Sequence, residues 1–427
     1  MQALLQMSTW YGSQCGHTTA LLKRAKNYWV FKMLWIKELN YPRWAIINFI
    51  VLTIFGILLR YIQLYSLPFA DYQFILHAHS HFAFAGWMFF AMALLIGNII
   101  TGGKYSAGYL YVLVFTVISA YGMLVSFSFQ GYKPVSIAFS TLFVLVTYRF
   151  TYLVFKGTAL KNAVNQIAFK LIRGALIFLC ISSLGPFMLG PLAALGFKDT
   201  AYYQDAVYFY LHFQMNGFMF IGALGLLATA LTTVPAYKNN IKWLNLFIYS
   251  TIPVYFIFTL WDKPPIGIWV IASLGTGVNL LSWLMLCFNF RKDFKQFSFL
   301  AKAAVIAASL KIAFQVLICL PAIGEWTFIN RNLIIGYIHL LTLGIIMPLI
   351  IDQFIKRGFL NPGKILAAVN CIYMLMVVVY LALLFIQPLL ALFAINIPQY
   401  QFLLFILCLA FLPVGLMLMS KTNARKF

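Results

Sequence analysis

Long apolar runs recur from one end of the chain to the other, broken by short polar and basic stretches. They place twelve spans at 44–64, 74–100, 107–129, 134–155, 171–194, 206–234, 244–260, 266–288, 300–323, 333–355, 366–386 and 399–419. Runs of this length cross a hydrocarbon core as helices. Membrane β-strands would be shorter and would alternate in polarity, so the pattern predicts an all-α polytopic membrane protein. The short connections leave no room for a soluble domain. The expected organisation is a cytoplasmic N-terminal extension over 1–39 and a single twelve-helix transmembrane domain over 40–427. Residues 1–32 are weakly patterned, with basic residues at their end rather than ahead of an apolar core, unlike a secretory signal peptide. Met33 is an alternative start, which would leave His17 outside the functional chain.

Composition agrees: 63% of residues are hydrophobic and 9% charged. The net charge of +22 invites a nucleic-acid reading, but its placement rejects one. Of the 30 Lys and Arg, only Arg60, Lys133, Lys198, Lys263 and Arg331 fall on the side opposite the N-terminus, and Lys311 lies mid-span. Positive residues mark the cytoplasmic side. Both termini are therefore expected in the cytoplasm, as in a bacterial inner-membrane protein surrounded by the lipid bilayer. The six cysteines include no CxxC pair and no CxxCH site for covalent heme.

Three polar positions inside the spans share a pattern, a histidine followed five residues later by glycine. They read His81-Phe-Ala-Phe-Ala-Gly86, His212-Phe-Gln-Met-Asn-Gly217 and His339-Leu-Leu-Thr-Leu-Gly344. They fall on the second, sixth and tenth spans, each about 10 Å below the outer surface at 1.5 Å rise per residue. A recurrence at every fourth helix predicts three four-helix arcs in a pseudo-threefold arrangement. The second span opens with His77-Ala-His79-Ser-His81. On a regular helix His77 and His81 share a face, while His79 points about 200° away from His77.

Taken singly, each histidine is explained as a hydrogen-bonded buried residue or a polar cap. Their common depth favours a shared site. Structural zinc would call for cysteines and magnesium or calcium for carboxylates, and neither accompanies these histidines. Imidazoles on facing helices in apolar surroundings suit axial ligation of a b-type heme. The candidates are His77, His79 and His81 with His339, and Arg60 and Arg331 are placed to take heme propionates. His212 is a candidate copper ligand or a residue at the heme edge, and the metal set is His81, His339 and His212. Gln214 and Asn216 stand beside it. Lys311, with Gln315 one turn away, is a candidate proton-path group.

His79-Ser-His81 with Gly86-Trp87 follows an H-x-H-x4-G-W pattern, and His212-Phe-Gln-Met-Asn-Gly217 accompanies it. These segments resemble the catalytic subunit of heme–copper oxidases and, in part, NnrS-type heme and copper proteins. The resemblance implies twelve helices in three arcs with cytoplasmic termini. It also implies a low-spin heme held by His81 or His79 with His339, a copper ligand at His212, an oxidoreductase activity, and an electron-donor protein or quinol as partner, with further subunits. Two departures stand out. The seventh span reads Leu244-Asn-Leu-Phe-Ile-Tyr-Ser-Thr-Ile-Pro-Val-Tyr255, without the adjacent histidines of the family, and the tenth carries one histidine where the family has two. The usual three-histidine copper site and second heme are therefore not expected. Two alternatives are an NnrS-like role in nitric oxide stress or metal handling, and a proton-coupled secondary transporter. A transporter of this size would be expected to show two related six-helix halves.

Overall fold

The computed structural model describes residues 39–156, 159–231 and 237–423. The extension expected over 1–39, His17 included, lies outside the described residues except for Leu39. Twelve of the described helices are long and apolar enough to cross a membrane. They are α1 (Tyr41–Leu64), α2 (Tyr72–Thr101), α3 (Ala107–Gln130), α4 (Pro134–Phe155), α5 (Gln166–Ala194), α6 (Ala201–Ala228), α7 (Asn240–Asp262), α8 (Ile266–Asn289), α9 (Phe299–Ile318), α10 (Arg331–Lys356), α11 (Lys364–Ala391) and α12 (Tyr400–Ser420). The protein is an all-α polytopic membrane protein.

Local chemistry sets several boundaries. Asn40, Asp71, Asn165 and Ser298 each accept a hydrogen bond from the backbone N–H three residues on, capping α1, α2, α5 and α9. The Asn165 cap starts α5 at Gln166, ahead of the 171 expected from hydropathy. Helix α6 begins at Ala201 rather than near 206, because its first turn is polar, and its helical run ends at Ala228. Gly102 ends α2 in the left-handed region at φ 60°, which favours glycine.

The histidine helices form the middle of the molecule. Their most apolar stretches are 83%, 94% and 67% buried for α2, α6 and α10, against at most 61% elsewhere. All three pack on one another, and the other nine surround them in sequence order, the ring closing where α1 meets α12. The arrangement recurs at every fourth helix. The pairs α1 and α3, α5 and α7, and α9 and α11 flank α2, α6 and α10, joined across by Tyr121–Asn48, Lys170–Asn245 and Phe314–Phe385 contacts.

A backbone feature repeats with it. Each central helix widens into π-helix shortly after its histidine, over Ala83–Phe89, Phe213–Phe220 and Thr342–Ile346. Gly86, Gly217 and Gly344 lie inside these stretches. Such widening is rare and usually brief. It shifts the hydrogen-bond ladder, and neighbouring side chains bond carbonyls within two of the three stretches. Asn48 Nδ2 donates to the Gly86 carbonyl at 2.6 Å, and the Tyr373 hydroxyl donates to the Leu343 carbonyl at 2.6 Å.

The glycines are not equivalent. A Cβ on Gly217 would lie 2.6 Å from the Phe178 Cβ on α5, whereas on Gly344 its nearest neighbour is the side-chain tip Leu340 Cδ1 at 3.3 Å. Gly217→Ala is expected to destabilise by about 1–3 kcal/mol through overpacking. Gly344→Ala is expected to be neutral or stabilising by up to ~1 kcal/mol from helix propensity. Thermal melts of the two variants in one detergent check the opposite signs.

Candidate functional site

Asp71 starts α2 two turns ahead of the histidines and so sets which way each faces. The three separate as helical periodicity requires. His81 turns towards α3: its Nε2 lies 2.8 Å from the Tyr132 hydroxyl, and its ring stacks on Phe127 with centroids 4.4 Å apart. His77 follows it, meeting the Tyr132 ring edge-on at 4.7 Å. His79 turns the other way, towards α1, where Gly56 makes room for it. A Cβ on Gly56 would lie 3.3 Å from the His79 Cε1.

Across from His79 stands His339 of α10, and the two imidazoles lie within electrostatic range of each other and of Arg60. The structure thus brings His339 together with His79 and leaves His81, the other partner offered by the sequence, engaged with Tyr132. His339 Nδ1 bonds the Ile335 carbonyl of its own helix at 2.8 Å, so Nδ1 carries the proton and the Nε2 lone pair stays available. His79 Nδ1 has no hydrogen-bond partner. Both rings are partly exposed side chains on otherwise enclosed helices.

A basic cluster borders this pair. Arg60 is only 7% exposed, so it is a buried residue rather than an interfacial anchor. Its guanidinium donates to the Tyr380 hydroxyl at 2.8 Å and to Gln63 Oε1 at 3.0 Å. The Tyr380 ring meets His339 edge-on at 5.4 Å. Gln63 Nε2 and Arg331 both donate to the Tyr72 hydroxyl, at 3.1 and 3.0 Å. Neither arginine forms an ion pair among the described residues.

His212 is held very differently. A single hydrogen-bonded chain runs from Lys311 through His212 to Thr251 and joins four helices. Lys311 Nζ donates to Gln315 Oε1 at 3.2 Å, Gln315 Nε2 to the Tyr337 hydroxyl at 2.9 Å, and that hydroxyl to Asn216 Oδ1 at 3.2 Å. Asn216 Nδ2 donates to His212 Nδ1 at 3.3 Å, and His212 Nε2 donates to the Thr251 carbonyl at 2.8 Å. All five donors point one way. The Thr251 carbonyl sits just before α7 tightens from α to 3-10 geometry at Tyr255, a place where ladder bonds change partner. Lys311 is 2% exposed, with Nζ 4.4 Å from the Phe220 ring centroid, and it does not snorkel to water. Gln214 lies outside the chain, accepting from Ser182 at 3.0 Å while its Nε2 has no partner.

Both ring nitrogens of His212 are therefore occupied. No three His, Cys, Asp or Glu side chains among the described residues converge as a metal site. The donor set around His212 does not fit copper. Tyr337, Tyr380, Gln63, Tyr72 and Gly56 were not singled out in the sequence. Among 24 tyrosines nothing marks the three that join a site, because their partners lie on other helices. No known protein-family model matches this chain, and no curated protein matches it.

The chain of hydrogen bonds gives an ordered pair of stability effects. Tyr337→Phe strands Asn216 Oδ1 and a Gln315 N–H in an apolar interior, and is expected to cost about 1–3 kcal/mol. Lys311→Met also strands Gln315 Oε1, but it removes an amine buried without a carboxylate, whose charged form is expensive there. It is expected to cost less than Tyr337→Phe or to stabilise. Melting curves of both variants in detergent test the order, and a larger loss for Lys311→Met would contradict it.

Proposed function

We propose that this chain is a b-type heme-binding redox protein of the inner membrane, with the heme held between α2 and α10 by His79 and His339. The observation that carries the reading is this pair: imidazoles of α2 and α10 within electrostatic range of each other, with His79 Nδ1 lacking a hydrogen-bond partner and His339 bonded through Nδ1 alone. The apolar surroundings suit heme, and Gly56 leaves room beside the His79 ring. Arg60 would bind a propionate from its buried position. Arg331, Gln63 and Tyr72 would supply the outer hydrogen bonds, since both arginines lack a carboxylate partner. The likeness of His79-Ser-His81, Gly86-Trp87 and the His212 segment to heme–copper oxidases supports the same assignment.

Held by His79 and His339, a heme would supply reversible one-electron transfer. The protein's part is to orient both imidazoles and to balance propionate charge with Arg60 and Arg331. The polar chain ending at His212 supports an electrostatic role for Lys311. Its Asn and Gln links have no readily titrating proton to pass on, which speaks against a proton wire. Thr251 stands where α7 faces His212 and offers a carbonyl in place of a histidine, so electron transfer is favoured over oxygen reduction. The four-helix recurrence favours this group of proteins over a transporter of two six-helix halves. The basic face is assigned to the cytoplasm by its Lys and Arg excess, with an electron-donor protein or quinol as partner.

Absorption spectra of purified protein test the reading. His79→Ala and His339→Ala are each expected to abolish the low-spin b-type bands of the dithionite-reduced protein. His81→Ala and His212→Ala are expected to keep them. A wild-type protein without such bands and without iron on elemental analysis would overturn the proposal. Loss in His81→Ala with retention in His79→Ala would overturn the ligand assignment, and stoichiometric copper would favour the NnrS-like alternative.

A further inference from the structure

On the basic face, far from the His79–His339 pair, a half-open cleft of about 330 Å³ runs between the ends of α5, α6, α7, α8 and α9. Its walls are almost wholly apolar, with Leu171, Leu227, Phe247 and Trp283 reaching into the middle of the bundle. Ser309 is the one polar side chain inside, and it is already used. Its hydroxyl accepts from Trp283 Nε1 at 2.9 Å and donates to the Val305 carbonyl at 3.0 Å. The remaining polar lining residue, Arg291, stands at the mouth.

Arg291 begins the short helix Arg291–Gln296, which joins α8 to α9 and carries Lys292 and Lys295, all three exposed. Its only acid, Asp293, is turned inward at 2% exposure. The Arg291 guanidinium donates to the Phe288 carbonyl at 2.9 Å and lies 4.2 Å over the Phe288 ring, and it forms no ion pair among the described residues. An apolar cleft therefore opens beside Arg291, on a short exposed helix that also carries Lys292 and Lys295.

We propose that this cleft binds an anionic phospholipid, with an acyl chain between α6 and α8 and the phosphate at Arg291, Lys292 and Lys295. An apolar space of this size does not hold water well, and the hydrocarbon next to it is lipid. A quinol fits less well, because its ring oxygens would find no free hydrogen-bond partner inside. The cations select a negative headgroup over a zwitterionic one.

Lipid retention by the full-length protein tests this. Detergent-purified protein is incubated with phosphatidylglycerol or phosphatidylcholine, and bound lipid is counted by native mass spectrometry. One phosphatidylglycerol is expected to be retained in preference to phosphatidylcholine. Arg291→Gln should weaken that retention roughly fivefold, the effect of one cation near the surface. Leu227→Trp and, independently, Val305→Phe fill the cleft and should abolish retention of both lipids. Equal retention of the two lipids, retention unchanged in Arg291→Gln and in whichever filling variant folds, or a quinone as the occupant would each overturn the proposal. The heme spectrum reads the opposite face, so failure of either proposal leaves the other standing.

Discussion

The mutual contact of α2, α6 and α10 is the constraint from which the rest of the structure follows. These helices are apolar on nearly every face because they touch protein on nearly every face, and nine outer helices are needed to cover them. A helix so enclosed can hold a polar side chain only if another helix receives it, since hydrocarbon offers no partner. The widened backbone after each histidine belongs to the same packing. It alters which carbonyls the ladder uses, and Asn48 and Tyr373 bond carbonyls inside two of those stretches from the flanking helices.

Within that frame two histidine environments diverge, and their difference decides their chemistry. His212 spends both nitrogens in a chain that begins at a buried lysine, so it is an element of a finished network. His79 and His339 are the unfinished case: His79 Nδ1 has no partner, His339 bonds through Nδ1 alone, and neither Arg60 beside them nor Arg331, linked to it through Tyr72 and Gln63, has a carboxylate partner among the described residues. Buried polar groups without partners are rare in folded proteins and call for an explanation. The anionic, nitrogen-ligated cofactor proposed above would answer both the imidazoles and the guanidinium groups.

Much of this was legible in the sequence, and the reasons are physical. Hydropathy placed all twelve spans because a helix crossing lipid must be apolar along its length. It missed the polar first turn of α6 and the capped start of α5, where hydrogen bonding rather than hydropathy sets the end. Helical periodicity already separated His79 from His77 and His81, yet it could not say which face met α10. That choice depends on how α2 turns between α1 and α3, through Gly56 on one side and Phe127 with Tyr132 on the other. The Tyr337 and Tyr380 hydroxyls were invisible for a related reason: each is defined by partners on other helices, with no local pattern to betray it.

The seventh helix shows how a missing residue type becomes a positive feature. Relatives of the resembled family need histidines there, and this chain has Pro253 and a switch to 3-10 geometry at Tyr255 instead. The switch falls one turn after Thr251, whose carbonyl receives the His212 N–H. That bond makes Nε2 the protonated nitrogen, leaves Nδ1 to accept from Asn216, and so sets the direction of every donor back to Lys311. Reversing any one link would require an amide or a phenol in the chain to face like against like. The geometry of α7 thus holds the whole network in one orientation, with the Lys311 amine as first donor and the Thr251 carbonyl as last acceptor. His212 is thereby committed through both ring nitrogens, whereas His339 is hydrogen-bonded through Nδ1 alone and His79 Nδ1 has no partner.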